Sequence, residues 1–398
     1  MNHSGLLSQV STERIYQHVL SLEGERHPIR TPERLEKAAA YIREQLASVI
    51  PAVRDQEFRV TGWETPFTNI EARLGNPAAP AAVLIAHYDT YYRSAGANDN
   101  AAAVGVMLEL ARVLAMLPEP PPTLFLAVSL EETYPTIQLK AFESAWECMV
   151  LDRELRHTSW ETARIMARFW GLAWSSWKQG MMPYSDALAT AREQLQQSAH
   201  LPDNVLKHLH GLEALYAEVY QSSGSLGHIG SSAWVQEAMQ TKRSLGFAIC
   251  LDEIGTTNLQ EGSQRMFPGL GYEMMRLHKV EPEKRIGNWA FIVTDANSSQ
   301  LGETFCRHCA ASEIDLPYAY LPMPLRYEQI LQLNPQALGS DYAPFWKAGI
   351  PALALIDTAA MRNPFGHSMA DTIERLDFEQ IGRIAKGTLA TLLDPELR

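Results

Sequence analysis

The sequence predicts an α/β layered domain with a largely parallel sheet, carrying an inserted helical subdomain. Three observations point there. Short, continuous apolar runs at 82–86, 123–130, 245–251 and 351–356 suit strands covered on both faces. Stretches with helical periodicity alternate with them, the pattern of βαβ units. The long segment 133–226 shows helical periodicity and no convincing strand.

In chain order, residues 12–49 read as mostly helical, with Thr31 as an N-cap, Pro32 at the first helical position, and Leu35, Ala38, Ala39, Ile42 and Leu46 forming one apolar face. Strand-like runs follow at 56–61 and 69–74, and the turn-rich GNPAAP separates them from the run at 82–86. That run ends in His87-Tyr-Asp89, and a loop leads to a helix from about 101 to 116, broken by the prolines at 118–122. The run at 123–130 ends in Glu131-Glu132, 245–251 ends in Asp252, and 351–356 leads by a loop to His367. The expected domains are 1–132 with 227–398, and the helical insert 133–226. The insert holds five of the nine tryptophans (Trp146, Trp160, Trp170, Trp174, Trp177), expected to form its own core.

A chain of 398 residues, 46% hydrophobic and 20% charged, can bury one large core or one core plus an accessory domain. Its 34 basic and 46 acidic residues give a net charge of −12, which argues against nucleic acid or anionic membrane as the main partner. No apolar run reaches the roughly 18 residues of a membrane span, and the first residues lack the basic and apolar regions of a secretion signal. Cys148, Cys250, Cys306 and Cys309 are too few and too scattered for a disulfide framework, so a cytoplasmic location is expected. Cys306-x-x-Cys309 lies in a helical pattern with no second pair, so neither a structural zinc nor a redox site is expected there.

The chemistry lies in position. His87, Asp89, Glu131, Glu132 and Asp252 all sit just past the end of a predicted buried strand, and in open α/β sheets those ends line one ligand-binding crevice. Carboxylates crowded there repel and raise each other's pKa, so they stay ionised together most readily when cations neutralise them. Mixed carboxylate and imidazole donors suit zinc, and less specifically manganese or cobalt. In His87-x-Asp89, alternation along an extended segment lets Asp89 accept the second ring N–H of His87. Gly96-Ala-Asn-Asp99-Asn opens a helix: Asn98, Asp99 or Asn100 can cap it, and Asp99 can bridge two metals. In Glu131-Glu132, one carboxylate can ligate while the other acts as general base. Each pattern alone has an ordinary explanation: a turn, a cap, a solvated charge pair, a surface histidine. Chance does not readily supply all of them in this order.

The set resembles metallopeptidase family 28, the co-catalytic di-zinc aminopeptidases and related zinc-dependent glutaminyl cyclases. The matching pieces are AHYDT, GANDNAAAVGVMLELARVL, LFLAVSLEE, GHIGSSAWVQ, LDEIG, SDYAPFWKAGIPAL and HSMADTIERLD, on both sides of the insert. The resemblance implies a three-layer α/β/α sandwich with a mostly parallel mixed sheet. It implies that His87 and Asp252 hold one zinc, Glu132 and His367 the other, and Asp99 bridges them, with Glu131 as general base and Asp89 supporting His87. The expected activity is hydrolysis of a peptide or small amide. The alternatives are a cyclase-like aminoacyl transfer using one zinc, and a metal-free binding scaffold. Two departures stand out. Gly227-His-Ile-Gly230-Ser231 is displaced from Glu-Glu by the insert, and Tyr342 stands where the family usually has His, leaving Tyr342 a weak candidate for stabilising an oxyanion. The insert is expected to act as a lid restricting substrate size or as a homo-oligomer interface.

Overall fold

A computed structural model describes residues 3–180, 184–223, 227–267 and 269–397. Nine strands form one mixed sheet: β1 (Val53–Phe58), β2 (Phe67–Leu74), β3 (Ala81–His87), β4 (Thr123–Val128), β5 (Leu245–Leu251), β6 (Arg276–His278), β7 (Ala290–Thr294), β8 (Tyr318–Pro322) and β9 (Ala352–Ile356). Their order is β1-β2-β4-β3-β5-β9-β7-β8-β6. The central block β4-β3-β5-β9 is parallel, so its carboxyl ends open on one edge. Antiparallel pairs flank it on both sides.

The helices are α1 (His3–Leu7), α2 (Thr12–Leu22), α3 (Pro32–Ala47), α4 (Ala102–Leu114), α5 (Pro135–Glu147), α6 (Trp160–Gly180), α7 (Tyr184–Ser198), α8 (Asp203–Ser223), α9 (Ile229–Gln240), α10 (Ser299–Cys309), α11 (Tyr327–Leu333), α12 (Ala343–Lys347) and α13 (Phe378–Leu393). Strand alternation sends side chains to both faces. From β3, Ala82, Leu84 and Ala86 pack under α2, α3, α4, α10 and α13, while Ala81, Val83 and Ile85 pack under α9, α11 and α12. This is a three-layer α/β/α sandwich, as the resemblance implies. None of the described helices is long and apolar enough to cross a membrane, and all four cysteines are free and buried.

Two compact units divide the chain. The sheet unit comprises 1–59, 65–133 and 228–398; the helical unit comprises 60–64 and 134–227. The helical unit has its own core, built on Ile165, Met166, Phe169, Ala173, Leu188, Leu195, Val205 and Leu209. Among the described side chains the tryptophans do not form it, contrary to expectation: Trp160 is 83% exposed, Trp170 only borders the core, and Trp146 carries the Arg153 guanidinium 4.5 Å from its ring centroid. The buried stripe of α6 runs through 165, 166, 169 and 173, and residues 160 and 170 fall off it. The side chains of Trp174 and Trp177 lie outside the described residues.

Thr31 occupies the N-cap position of α3, but its side chain does not cap the helix. Its hydroxyl donates to the Glu25 carbonyl at 2.9 Å and accepts from His27 N at 2.9 Å, closing the preceding turn instead.

Helix α9 meets the end of β4 at Gly230. A Cβ there would lie 2.0 Å from the Ser129 carbonyl oxygen and 2.7 Å from Asn69 Oδ1, which accepts Ser129 N while the Asn69 amide donates to the Gly230 carbonyl. Gly230→Ala is therefore expected to cost about 1–3 kcal/mol through overpacking. Gly171→Ala, in α6 with nothing within 4 Å, should instead gain about 0.5–1 kcal/mol. Urea unfolding of the two variants checks both signs.

Candidate metal centre

Each strand of the parallel block delivers a group to the same edge. His87 is the last residue of β3. Glu131 and Glu132 follow β4, Asp252 follows β5, and the loop after β9 carries His367. Asp99 comes from the turn between β3 and α4, and the Asp99–Asn100 peptide is cis. The structure brings all seven sequence-predicted residues together. His87 Nε2 lies 3.2 Å from Asp99 Oδ1 and 3.2 Å from Asp252 Oδ1. His367 Nε2 lies 3.2 Å from Asp99 Oδ2 and 3.2 Å from Glu132 Oε1. Donor atoms of His87, Asp99 and Asp252, of Asp99, Glu132 and His367, and of His87, Glu131 and Glu132 each fall within 4.8 Å of one another.

Asp89 faces His87 and also does a second job. Its carboxylate accepts Glu131 N at Oδ1 and Glu132 N at Oδ2, both at 3.1 Å, tying the end of β3 to the end of β4. His87 Nδ1 lies 3.3 Å from the Asp89 carbonyl oxygen and 3.6 Å from its Oδ1, so the backbone is the nearer partner of that nitrogen. Backbone geometry is unusual around the cage. Leu130, Glu253 and His367, none of them glycine, adopt φ of 59°, 46° and 56°, a conformation that clusters at functional sites.

Several supports went unrecognised in the sequence. Asp371, 1% exposed, accepts Asn98 N and Asp99 N, each at 3.1 Å, and so orients Asp99. Asn98 and Asn100 do not cap α4. Asn98 Oδ1 accepts Gly255 N, and its amide donates to Asp357. Asn100 donates to the Leu251 carbonyl and accepts Glu253 N, pinning the turn that presents Asp252. Ser340 donates to Asp252 Oδ2 at 2.7 Å, and Ser231 to Asp341 Oδ1 at 2.5 Å. The signal was present in the motifs that contain these residues, but nothing in a sequence marks which polar residues are buried. Tyr342 is no oxyanion stabiliser: its hydroxyl donates to the Ala337 carbonyl at 2.7 Å and its ring packs on Trp346.

The donor set fits divalent cations. Asp99 is 1% exposed, and its Oδ1, although close to His87, takes no aligned hydrogen bond. Burial works against its ionisation, yet His367 and His87 hold it well below the usual carboxylate range. Its neighbours lack that relief. Burial pushes Glu131 well up, with Glu132, Asp252 and Asp341 adding to the effect against His87. Burial and Asp99 push Glu132 up to about 8 and Asp371 up to about 7. Burial pushes Asp341 up to about 7. Four acidic groups crowd one edge, each pushed toward its protonated form, and divalent cations bound there would relieve them.

The family model described as Peptidase family M28 matches residues 69–139 and 292–392, which include every one of the seven residues except Asp252. The resemblance to metallopeptidase family 28 is borne out by that match. The uncharacterized protein YfbL of Escherichia coli (strain K12) is 37% identical over 92 residues, 21% of this chain and 27% of that protein. The match thus spans about a quarter of that relative's length. The LapA aminopeptidase of Legionella pneumophila superposes with a TM-score of 0.58 at 14% identity, covering 98% of this chain and 73% of that one. A Porphyromonas gingivalis glutaminyl cyclase gives 0.53 at 15% identity, covering 96% and 98%. These structures share the fold.

Metal-free protein should lose stability as the pH rises. Glu132, Asp341 and Asp371 have native pKa values of about 8, 7 and 7, above the roughly 4 of an unfolded carboxyl. The fold favours their protonated forms, so this contribution is complete below about pH 4 and is lost on rising through 7–8. Calorimetry of chelator-treated protein should show Tm falling between pH 5 and 8, with excess zinc reversing the fall. A Tm that holds or climbs over that window would contradict the picture.

Proposed function

We propose that this chain is a zinc-dependent hydrolase of the aminopeptidase type, acting on a peptide with a free N-terminus or a small amide like it. The observation that carries the reading is the placement of Asp99, whose two oxygens each face a different imidazole, with Asp252 and Glu132 flanking. His87 and Asp252 would hold one zinc, Glu132 and His367 a second, and Asp99 both. Zinc in that cage supplies Lewis acidity, which acidifies water and polarises a carbonyl oxygen.

The remaining work falls to the chain. The Glu131 side chain makes no hydrogen bond or ion pair among the described residues, and Glu131 is 8% exposed, so one carboxylate stays free beside the cage. Glu131 takes a proton from the attacking water and returns it to the leaving amine as the C–N bond breaks. Asp89 keeps that carboxylate in place through the Glu131 and Glu132 amides. The acidic surroundings also suit the substrate's ammonium group.

A second reading is aminoacyl transfer with ring closure, as in glutaminyl cyclases. It is favoured by His87-Tyr-Asp89 and Leu251-Asp-Glu-Ile-Gly255, and by the likeness of the fold to a glutaminyl cyclase over nearly the whole chain. That chemistry calls for one zinc.

Elemental analysis beside a peptide-library digest separates the two. The hydrolase reading expects two zincs per chain and shortened peptides. One zinc with pyroglutamyl formation from an N-terminal glutamine would replace it with the cyclase reading. In either case Glu131→Gln should lower kcat on the order of 10²–10⁴-fold, the usual worth of a general base, while leaving zinc content intact. A Glu131→Gln enzyme of undiminished kcat would remove Glu131 from the mechanism.

A further inference from the structure

The two imidazoles of the cage are held in different ways. His87 is buried, and its Nδ1 rests against the Asp89 carbonyl at 3.3 Å, so its ring plane is set by a protein partner on the nitrogen away from the acids. Metal-binding histidines are ordinarily fixed by such a contact. His367 has none. Its side chain is 38% exposed, its Nε2 faces Asp99 and Glu132, and Nδ1 makes no hydrogen bond to any described residue. A flat ring lies against it instead: Tyr91 stacks on the imidazole with centroids 4.3 Å apart and planes 13° from parallel.

The loop that carries Tyr91 is tied to the loop that carries His367. Ala95 N donates to the Ser368 carbonyl at 3.0 Å, and Ala97 N donates to the Asp371 carbonyl at 3.0 Å. The stack is therefore built between two anchored segments. Tyr91 is itself 38% exposed, and its hydroxyl makes no hydrogen bond to a described residue. What it offers His367 is its face.

We infer that Tyr91 is a positioning residue for the second metal site: its ring fixes the plane of His367, replacing the hydrogen bond that the imidazole lacks. The inference rests on the reading of His367 as a zinc ligand. A bare imidazole at the rim, set on a backbone of φ 56°, would otherwise rotate freely and meet the cation in a fraction of its orientations.

The test is zinc binding by metal-stripped protein, read by competition with a chromophoric chelator, in Tyr91→Leu, Tyr91→Phe and His367→Ala. Cobalt(II) absorption reports the ligand geometry in parallel. Tyr91→Leu should weaken the weaker zinc site about tenfold and change the cobalt spectrum, with Tm of the stripped protein unchanged. Tyr91→Phe keeps the ring and should restore both. Wild-type affinity in Tyr91→Leu, or an equal loss in Tyr91→Phe, overturns the inference while His367→Ala still weakens zinc. If His367→Ala binds zinc like the wild type, the site reading itself fails, and the inference with it.

Discussion

Asp99 is the constraint on which the site depends. A carboxylate with 1% exposure must be compensated or stay protonated, because an isolated buried charge is far costlier than a paired one. Here both oxygens face imidazoles, and the two backbone amides leading into the residue are held by Asp371. Asp371 gains two charge-assisted hydrogen bonds by this, but it then lies close enough to Asp99 for its own ionisation to be opposed. The arrangement makes sense as one half of a structure, with compensating charge arriving from outside the chain.

The sheet converts that local demand into geometry. Parallel pairing of β3 with β4 and with β5 brings three carboxyl ends side by side, at the spacing of neighbouring strands. Asp89 then acts across strands: by accepting the amides of both Glu131 and Glu132 it makes two adjacent carboxylates rigid relative to His87. Asn98 and Asn100 do the same for the turn after β5, one through Gly255 and the other through Glu253 and Leu251. Short polar side chains bonded to backbone are stiffer supports than long ion pairs between flexible side chains, which suits a cage whose ligands must converge within a few ångströms.

The parts of this that the sequence displays are those with a pattern. Continuous apolar runs reveal β3, β4, β5 and β9, and the groups just beyond them are the cage. β6 spans only three residues, and β8 is framed by prolines, so neither gives a run long enough to notice. β7 is as apolar as β9 and is followed at once by Asp295, but it runs antiparallel to β9, so that carboxylate lies on the edge away from the cage. Asp371 and Asp341 are hidden for another reason: an aspartate in a loop is ordinarily solvated, and only tertiary packing turns these two into buried acceptors. Tyr91 is equally unmarked, since stacking between residues 276 positions apart leaves no local trace.

The position of the helical insert follows from the same backbone. The chain leaves the sheet unit after Thr133 and returns at His228, and the two ends are already joined: His228 N donates to the Glu131 carbonyl at 3.0 Å, and Ile229 N to that of Leu130 at 2.8 Å. Gly230 then lets α9 close onto Ser129 without room for a side chain. The strand end carrying Glu131 and Glu132 is thus fixed by contacts on both sides of the break, whatever length of chain lies between. Closing a longer loop costs only about 0.6 kcal/mol for each doubling. A large insertion directly after the Glu-Glu pair therefore disturbs the cage little, because the hydrogen bonds that orient Glu131 close across the insertion point rather than run through it.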